Sequence, residues 1–359
     1  MKLTDICEFH GGSQPPKSEW SSEYKDGYIR MLQIRDFTQE GRVTPEYVKI
    51  SNRLRLCTED DILIGRYGAS VGKILSGKSG AYNVAIMKAV PDTSVVRKQY
   101  LRYYFLSPNF QNYILNLGGR AAQAGFSKDD LARLEITVVS LEEQDKIVNE
   151  LSTLEKTIST KQKQLKEFDD LVKSRFIEMF VEKGFKEITF SDYAEIIDGD
   201  RGKNYPKAEE FSDEGYCLFL SAKNVTKDGF LFEQMQFISE EKDNLLRKGK
   251  LCRGDIVITT RGTIGNIAFY DDDIPYDNVR INSGMVIIRQ KEVSFNQIFF
   301  LNAFKNKIDE IKETNVTGAA QPQLPIHIMS KIKLLNPPIE LQNEFADFVK
   351  LIDKSKFVG

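Results

Sequence analysis

The chain is poor in the side chains that most enzymes use at a reaction centre. It has two histidines, His10 and His327, and four cysteines, Cys7, Cys57, Cys217 and Cys252, none of them in a CxxC pair. So few imidazoles leave little for acid–base or metal chemistry, and scattered thiols argue against both a disulfide scaffold and a zinc site. No apolar run approaches the roughly 20 residues needed to span a bilayer. The opening MKLTDICEFHGG has neither an apolar signal region nor a small-residue cleavage site, so a cytoplasmic protein is expected. A charge excess is missing too: 50 Lys and Arg stand against 52 Asp and Glu, a formal net charge of −2. That balance argues against a chain coated by nucleic acid. It leaves room for a basic cleft on an acidic body, because phosphates respond to the local field.

What the chain does have is a repeat. Its 359 residues are enough for two ordinary domains. Lys2–Gly12 (KLTDICEFHGG) matches Thr189–Gly199 (TFSDYAEIIDG), with Asp5 against Asp192 and Gly12 against Gly199. YIRMLQIRDFTQEGRV from Tyr28 lies against YCLFLSAKNVTKDGFL from Tyr216, each an apolar strand, a polar turn and a return strand. Leu56–Lys73 matches Leu251–Asn266, down to the Leu-Cys pair and the Asp before the strand; Asn83 sits against Asn282. Gly119–Phe126 and Thr317–Leu324 share Ala-Ala-Gln, and Ser140–Gln144 pairs with Pro338–Gln342. The offset stays at roughly 190–200 residues through six blocks in one order, which chance similarity does not keep.

Each copy has two parts. The first is rich in short strands (Asp61–Ile64, Val84–Val90, Ile256–Thr260, Met285–Arg289) and carries aromatic helices at Gln99–Phe110 and Asn296–Phe304, the pattern of an α+β domain. The second is a long helix. From Leu141 to Val181 there is no Pro or Gly, and Glu, Lys, Gln and Leu dominate. Apolar residues hold a seven-residue register in two columns: Leu151, Ile158, Leu165, Val172 and Met179, and Ile147, Leu154 and Phe168, the latter interrupted by Lys161 and Arg175. Such spacing marks a coiled-coil seam on a rod of about 60 Å. The second copy continues the register through Phe345, Val349 and Ile352 and stops at Gly359, half a helix short. The expected division is 1–140, strand-rich; 141–183, helix; 184–337, strand-rich; and 338–359, a short distal helix.

Three strings suggest catalysis and fail on their chemistry. Asn336-Pro-Pro-Ile339 resembles the motif with which amino-methyltransferases hold a flipped base, but Ile offers no stacking face; two prolines closing a strand and opening a helix explain it. Gly68-Ala-Ser-Val-Gly72-Lys73 is one residue short of a phosphate-cradling loop, and its copy has no lysine. Asp271–Asp273 lacks the glycine and glutamate of a calcium loop. No catalytic set recurs in both halves, so neither a catalytic nor a metal site is expected.

What remains suits DNA. The first loops offer Gln14 and Lys17, then Arg201, Lys203 and Asn204; the strand turns offer Arg66, Lys73, Arg261 and Asn266; the Ala-Ala-Gln loops offer Arg120, Gln123, Gln321 and Gln323. Arg and Lys read guanine, and Asn and Gln read adenine, in the major groove.

Taken together, the repeated blocks resemble the specificity subunits of type I restriction–modification systems, over essentially the whole chain. The likeness rests on the order of strand-rich domain, Gln-containing loop, pre-helix step (Glu143-Gln144, Leu341-Gln342) and long helix, all repeated. It implies two target-recognition domains, each reading half of a split site on double-stranded DNA, with the helices forming an antiparallel coiled coil that docks two methyltransferase subunits. Restriction subunits with helicase and nuclease activity would join them, and S-adenosylmethionine, ATP and Mg would sit on those partners, not on this chain. The shortened distal helix departs from the family pattern. Differences between the halves, Lys17 and Trp20 against Lys203 and Tyr205, suit a non-palindromic target. Other readings are the recognition subunit of a bifunctional restriction enzyme that is not type I, a stand-alone DNA methyltransferase, and a coiled-coil scaffold with two peptide-binding domains.

Overall fold

The computed structural model describes residues 1–39, 41, 43–117, 125–291, 295–315 and 324–357, with backbone only for 313–315 and 357. It divides into two compact units, Met1–Ser159 and Thr160–Gly359. No helix among the described residues is long and apolar enough to cross a membrane.

The first unit opens on one helical turn, α1 (Leu3–Ile6), and β1 (Cys7–Gly11), whose alternation turns Cys7 and Phe9 inward. Next come β2 (Trp20–Ser21), β3 (Tyr28–Leu32), α2 (Ile34–Thr38), β4 (Tyr47–Lys49), β5 (Leu56–Cys57), β6 (Ile62–Gly65), β7 (Ile74–Leu75), β8 (Gly80–Tyr82) and β9 (Ile86–Pro91). They form an antiparallel sheet in the order β1-β9-β6-β7 and a second sheet in the order β2-β4-β3-β8-β5, in which β3 and β8 run parallel. β6 is buried throughout because both faces are covered. Ile62 and Ile64 pack with Leu101 and Phe105 of α3 (Lys98–Leu106) and Phe110 and Ile114 of α4 (Pro108–Leu117), while Leu63 turns to Leu32 and Tyr82 of the second sheet. A strand covered twice reads as a continuous apolar run, which is why Ile-Leu-Ile shows no alternation. Ser127 then starts α5 (Lys128–Leu131) with a reciprocal cap: its Oγ accepts the Asp130 N–H at 3.3 Å and Asp130 accepts the Ser127 N–H at 2.8 Å.

The long helix α6 (Leu141–Phe176) leads into the second unit and ends in one wider turn, where the Glu182 N–H donates to Ile177 O at 3.1 Å. After it come β10 (Glu187–Thr189), α7 (Phe190–Tyr193), β11 (Ala194–Asp198), β12 (Cys217–Leu220), β13 (Val225–Thr226), β14 (Gly229–Phe230), β15 (Phe237–Ile238) and α8 (Glu240–Leu245). β16 (Asp255–Thr259), β17 (Ile267–Tyr270), β18 (Val279–Ile281), β19 (Met285–Gln290), α9 (Gln297–Asn315), α10 (Ile326–Met329), β20 (Lys333–Leu335) and α11 (Ile339–Phe357) complete the unit. The main sheet, β11-β19-β16-β17, repeats the first unit's order, and β12–β18 repeats its parallel pair. Register repeats too: Gly11 faces Met87, which faces Ile64, as Asp198 faces Val286, which faces Ile258.

One equivalence read from the strings is corrected. The Thr58 N–H donates to Asp61 at 2.8 Å and the Cys252 N–H to Asp255 at 2.7 Å, so Cys57 corresponds to Leu251 rather than to Cys252. Burial agrees, since Cys57 and Leu251 are buried whereas Leu56 and Cys252 are exposed. The span from Leu-Cys to Asp is one residue shorter in the second copy, and the carboxylate cap sets the register.

Within the second unit, α11 runs antiparallel to the later part of α6, with Glu344 paired to Arg175 at 3.3 Å and Lys356 to Asp169 at 2.9 Å. Phe176 and Phe180 pack against Phe299 and Phe345 with ring centroids 4.8–5.6 Å apart. Val172, Val349 and Ile352 join that core, with Phe168 half-buried at its margin. The earlier seam differs. Ile147 is half-buried, and Leu151, Leu154, Ile158 and Leu165 are 37, 58, 58 and 44% exposed. Within the second unit, α11 covers Val172 and the turns beyond it.

Candidate nucleic-acid interface

Strand direction gathers three loops at one end of each main sheet. β1 and β6 both run antiparallel to β9, so the segments that follow β1 and β6 and precede β9 emerge together. In the first unit these are 12–17, 66–73 and 83–85; in the second, 199–204, 260–266 and 282–284.

Two glycines make the junction. A Cβ on Gly12 would stand 2.0 Å from Asn83 O, and one on Gly199 would stand 2.2 Å from Asn282 O, so only glycine lets these loops close. The asparagines hold the opposing turn. Asn83 Oδ1 accepts the Ala85 N–H at 3.1 Å and Asn282 Oδ1 accepts the Gly284 N–H at 2.9 Å, an Asx turn in both copies.

Around this frame, Gln14, Lys17 and Lys73 are exposed in the first unit. Arg66 is half-buried; it donates at 3.4 Å to Phe126 O and to Val84 O and lies 4.9 Å over the Tyr67 ring. Contacts that long leave its fork available. Lys203 and Arg261 are exposed in the second unit. Arg201 is exposed as well, held by Asp198 at 3.1 Å and Ser283 O at 3.2 Å, while Asn204 donates its amide to Leu245 O at 3.2 Å. Asn266 is half-buried and donates one amide N–H to Val225 O at 2.9 Å. Arg120, Gln123, Gln321 and Gln323 lie outside the described residues.

Hydrogen bonding also re-pairs the turns. Gly65 N–H bonds to Lys73 O as Thr259 N–H bonds to Asn266 O, and Gly72 N–H to Gly65 O as Gly265 N–H to Thr259 O. Lys73 thus corresponds to Asn266, but Arg66 corresponds to Thr260, and Arg261 to Tyr67. Tyr67 is 42% exposed beside Arg66 and was not among the sequence candidates. An aromatic next to an arginine at the mouth of a Gly-containing turn was the available signal.

The strings that suggested catalysis have structural uses. The 68–73 segment is the β6–β7 turn, with Gly68 and Gly72 at φ +60° and +78° and the Gly72 N–H already bonded. Asn336-Pro-Pro-Ile339 links β20 to α11. The step before each long helix is an anchor: Gln144 accepts the Arg97 N–H at 2.7 Å and donates to Val95 O and Val139 O, and Gln342 accepts the Asn296 N–H at 2.9 Å and donates to Pro337 O. Both are buried, and each ties the start of its helix to the start of the aromatic helix before it.

Over residues 1–168 and 182–357 the chain matches the family described as the type I restriction modification DNA specificity domain. The specificity subunits of the type I restriction enzymes MjaVIII and MjaIX of Methanocaldococcus jannaschii are each 24% identical to it, across 98% and 97% of this chain and 85% of each relative. The crystal structure of a type I restriction–modification system S subunit from M. genitalium has a TM-score of 0.53 at 18% identity, covering 99% of this chain and 89% of that one. That last likeness is one of fold.

Proposed function

The chain belongs to the type I restriction modification DNA specificity family, and from that we propose that it reads a split, asymmetric DNA target, one half with each strand-rich domain. The carrying observation is that the same three-loop end is built twice on one register with different side chains. Gln14, Lys17, Arg66 and Lys73 equip the first, and Arg201, Lys203 and Arg261 the second. Two unlike readers on one chain call for two unlike half-sites, since base edges are distinguished by the donors and acceptors set against them.

In this reading the chain is non-catalytic and directs its partners. Two methyltransferase subunits use S-adenosylmethionine, and restriction subunits use ATP and Mg. The exposed seam of Leu151, Leu154, Ile158 and Leu165 is the face on which methyltransferase subunits settle.

The test is the motif methylated in cells that carry the chain with its partner subunits. Arg66→Ala and Lys73→Ala should alter one half of the motif, and Lys203→Ala and Arg261→Ala the other, at about 1–3 kcal/mol per lost bidentate contact. A continuous motif, or equal damage to both halves from either pair, would refute the two-reader assignment.

A further inference from the structure

Next to the first loop of each domain lies a second basic turn, fixed from inside. In the second domain Asp200, directly after Gly199, is buried. Its carboxylate accepts the Arg247 N–H at 2.8 Å and the Gly202 N–H at 2.7 Å, and these bonds hold its pKa below the usual carboxylate range. The loop that carries Arg201 and Lys203 is thereby joined to segment 246–250. The buried Arg280 guanidinium draws three carbonyls of that region inward, those of Lys248 at 2.8 Å, Asp243 at 2.9 Å and Leu246 at 3.1 Å. Gly249, at φ +85°, packs so closely that a Cβ there would stand 3.2 Å from the Gly199 Cα, and its carbonyl accepts the Ile281 N–H at 2.9 Å. Arg247 and Lys248 are both exposed; the Arg247 guanidinium lies near Gly202 and its charge also favours the Asp200 carboxylate.

The first domain has the same joint made from other residues. Ser13, directly after Gly12, accepts the Arg55 N–H on its Oγ at 3.1 Å, and Arg55 O accepts the Tyr82 N–H at 3.1 Å, as Gly249 O does from Ile281. Arg53 and Arg55 are exposed, without an ion pair among the described residues.

We propose that these turns, Arg53 with Arg55 and Arg247 with Lys248, are phosphate contacts that seat each domain on duplex DNA beside its reading loop. The inference rests on the DNA-reading function proposed above. A backbone locked by a side chain from the reading loop, carrying exposed cations, suits a repeating anion at a set distance from that loop. Phosphate contacts position a reader without adding sequence information. The two turns share their anchoring and differ in sequence, as a sequence-independent role permits.

The test uses the full chain assembled with its methyltransferase subunits and two duplexes of equal length, one carrying the motif methylated in cells and one of scrambled sequence. Arg55→Gln and Arg247→Gln should weaken binding to both duplexes by the same factor. Each should reduce the slope of log affinity against log salt by about one, leaving the methylated motif unchanged. Arg247→Lys should restore the slope. Since the altered side chains are exposed, melting temperatures should stay at the wild-type value, and Arg53→Gln with Lys248→Gln provides a second pair. Unchanged slopes in all four variants, while Arg66→Ala or Arg261→Ala does weaken binding, would overturn this inference and leave the function standing. A changed motif would move these arginines into base reading and overturn it as well. No binding of either duplex by the wild-type assembly would overturn both.

Discussion

Gln342→Ala tests how the distal helix is attached. The side chain is 1% exposed, its Oε1 accepts the Asn296 N–H at 2.9 Å, and its Nε2 donates to Pro337 O at 2.8 Å. Alanine removes both bonds and strands one donor and one acceptor. A net hydrogen bond is worth about 0.5–1.5 kcal/mol and an unsatisfied buried group costs about 1–3 kcal/mol, so the loss should be about 2–4 kcal/mol. Gln144→Ala should cost at least as much in the first unit, since that amide makes three bonds, to Arg97 N–H, Val95 O and Val139 O. For units of this size about 1 kcal/mol corresponds to roughly 2–4 °C, which places the expected fall at roughly 5–15 °C. Calorimetry is the assay, because two units can melt as separate transitions and each glutamine serves one. A shift under about 1 °C for either variant, or Gln342→Ala displacing the first unit's transition, would refute the anchoring argument.

Gly12→Ala and Gly199→Ala place a methyl 2.0 and 2.2 Å from a backbone oxygen; each should cost about 1–3 kcal/mol and blur one half of the methylated motif, and a variant with unchanged melting and motif would show that the loop closes without glycine. Ile158→Asp should leave both units as stable as before, because that side chain is 58% exposed, yet weaken assembly with the methyltransferase subunit, where burying such a side chain is worth about 1.5–3 kcal/mol; sedimentation showing intact assembly would move the docking face elsewhere. In the second unit, burial works to raise the Asp243 carboxyl, but hydrogen bonds from Lys250 and Arg280 outweigh it and hold it below the ordinary range. A depressed folded pKa stabilises above the unfolded value of about 4 and is lost as pH falls through the folded one, so the second unit should weaken in acid. Asp243→Asn should flatten that dependence in urea unfolding and, by leaving the buried Arg280 unpaired, cost about 3–5 kcal/mol at neutral pH; an unchanged acid limb would place the titrating group elsewhere.

Much of the architecture was legible in the chain itself because the signals are local. Short apolar runs between glycines, a Pro- and Gly-free stretch with a seven-residue register, and six blocks recurring in order each depend on neighbours a few residues apart. They were enough for two α+β domains and a long helix between their strand-rich parts. The loops proposed for recognition followed from the same blocks, since a repeat exposes equivalent places twice. Which residues are equivalent at atomic level was a different matter. Asp61 and Asp255 cap turns offset by one residue from the Leu-Cys strings, and the β16–β17 turn is shorter than its partner, so Arg66 and Arg261 do not correspond. One amide N–H of Asn266 is taken by Val225, 41 positions away, and Gln144 and Gln342 act on backbone groups up to 49 and 46 positions away. Such partners are set by how sheets and helices close on one another. Residue type and spacing name the groups able to hydrogen-bond; only the packed fold decides which have already found a partner inside the protein and which still face outward for another molecule.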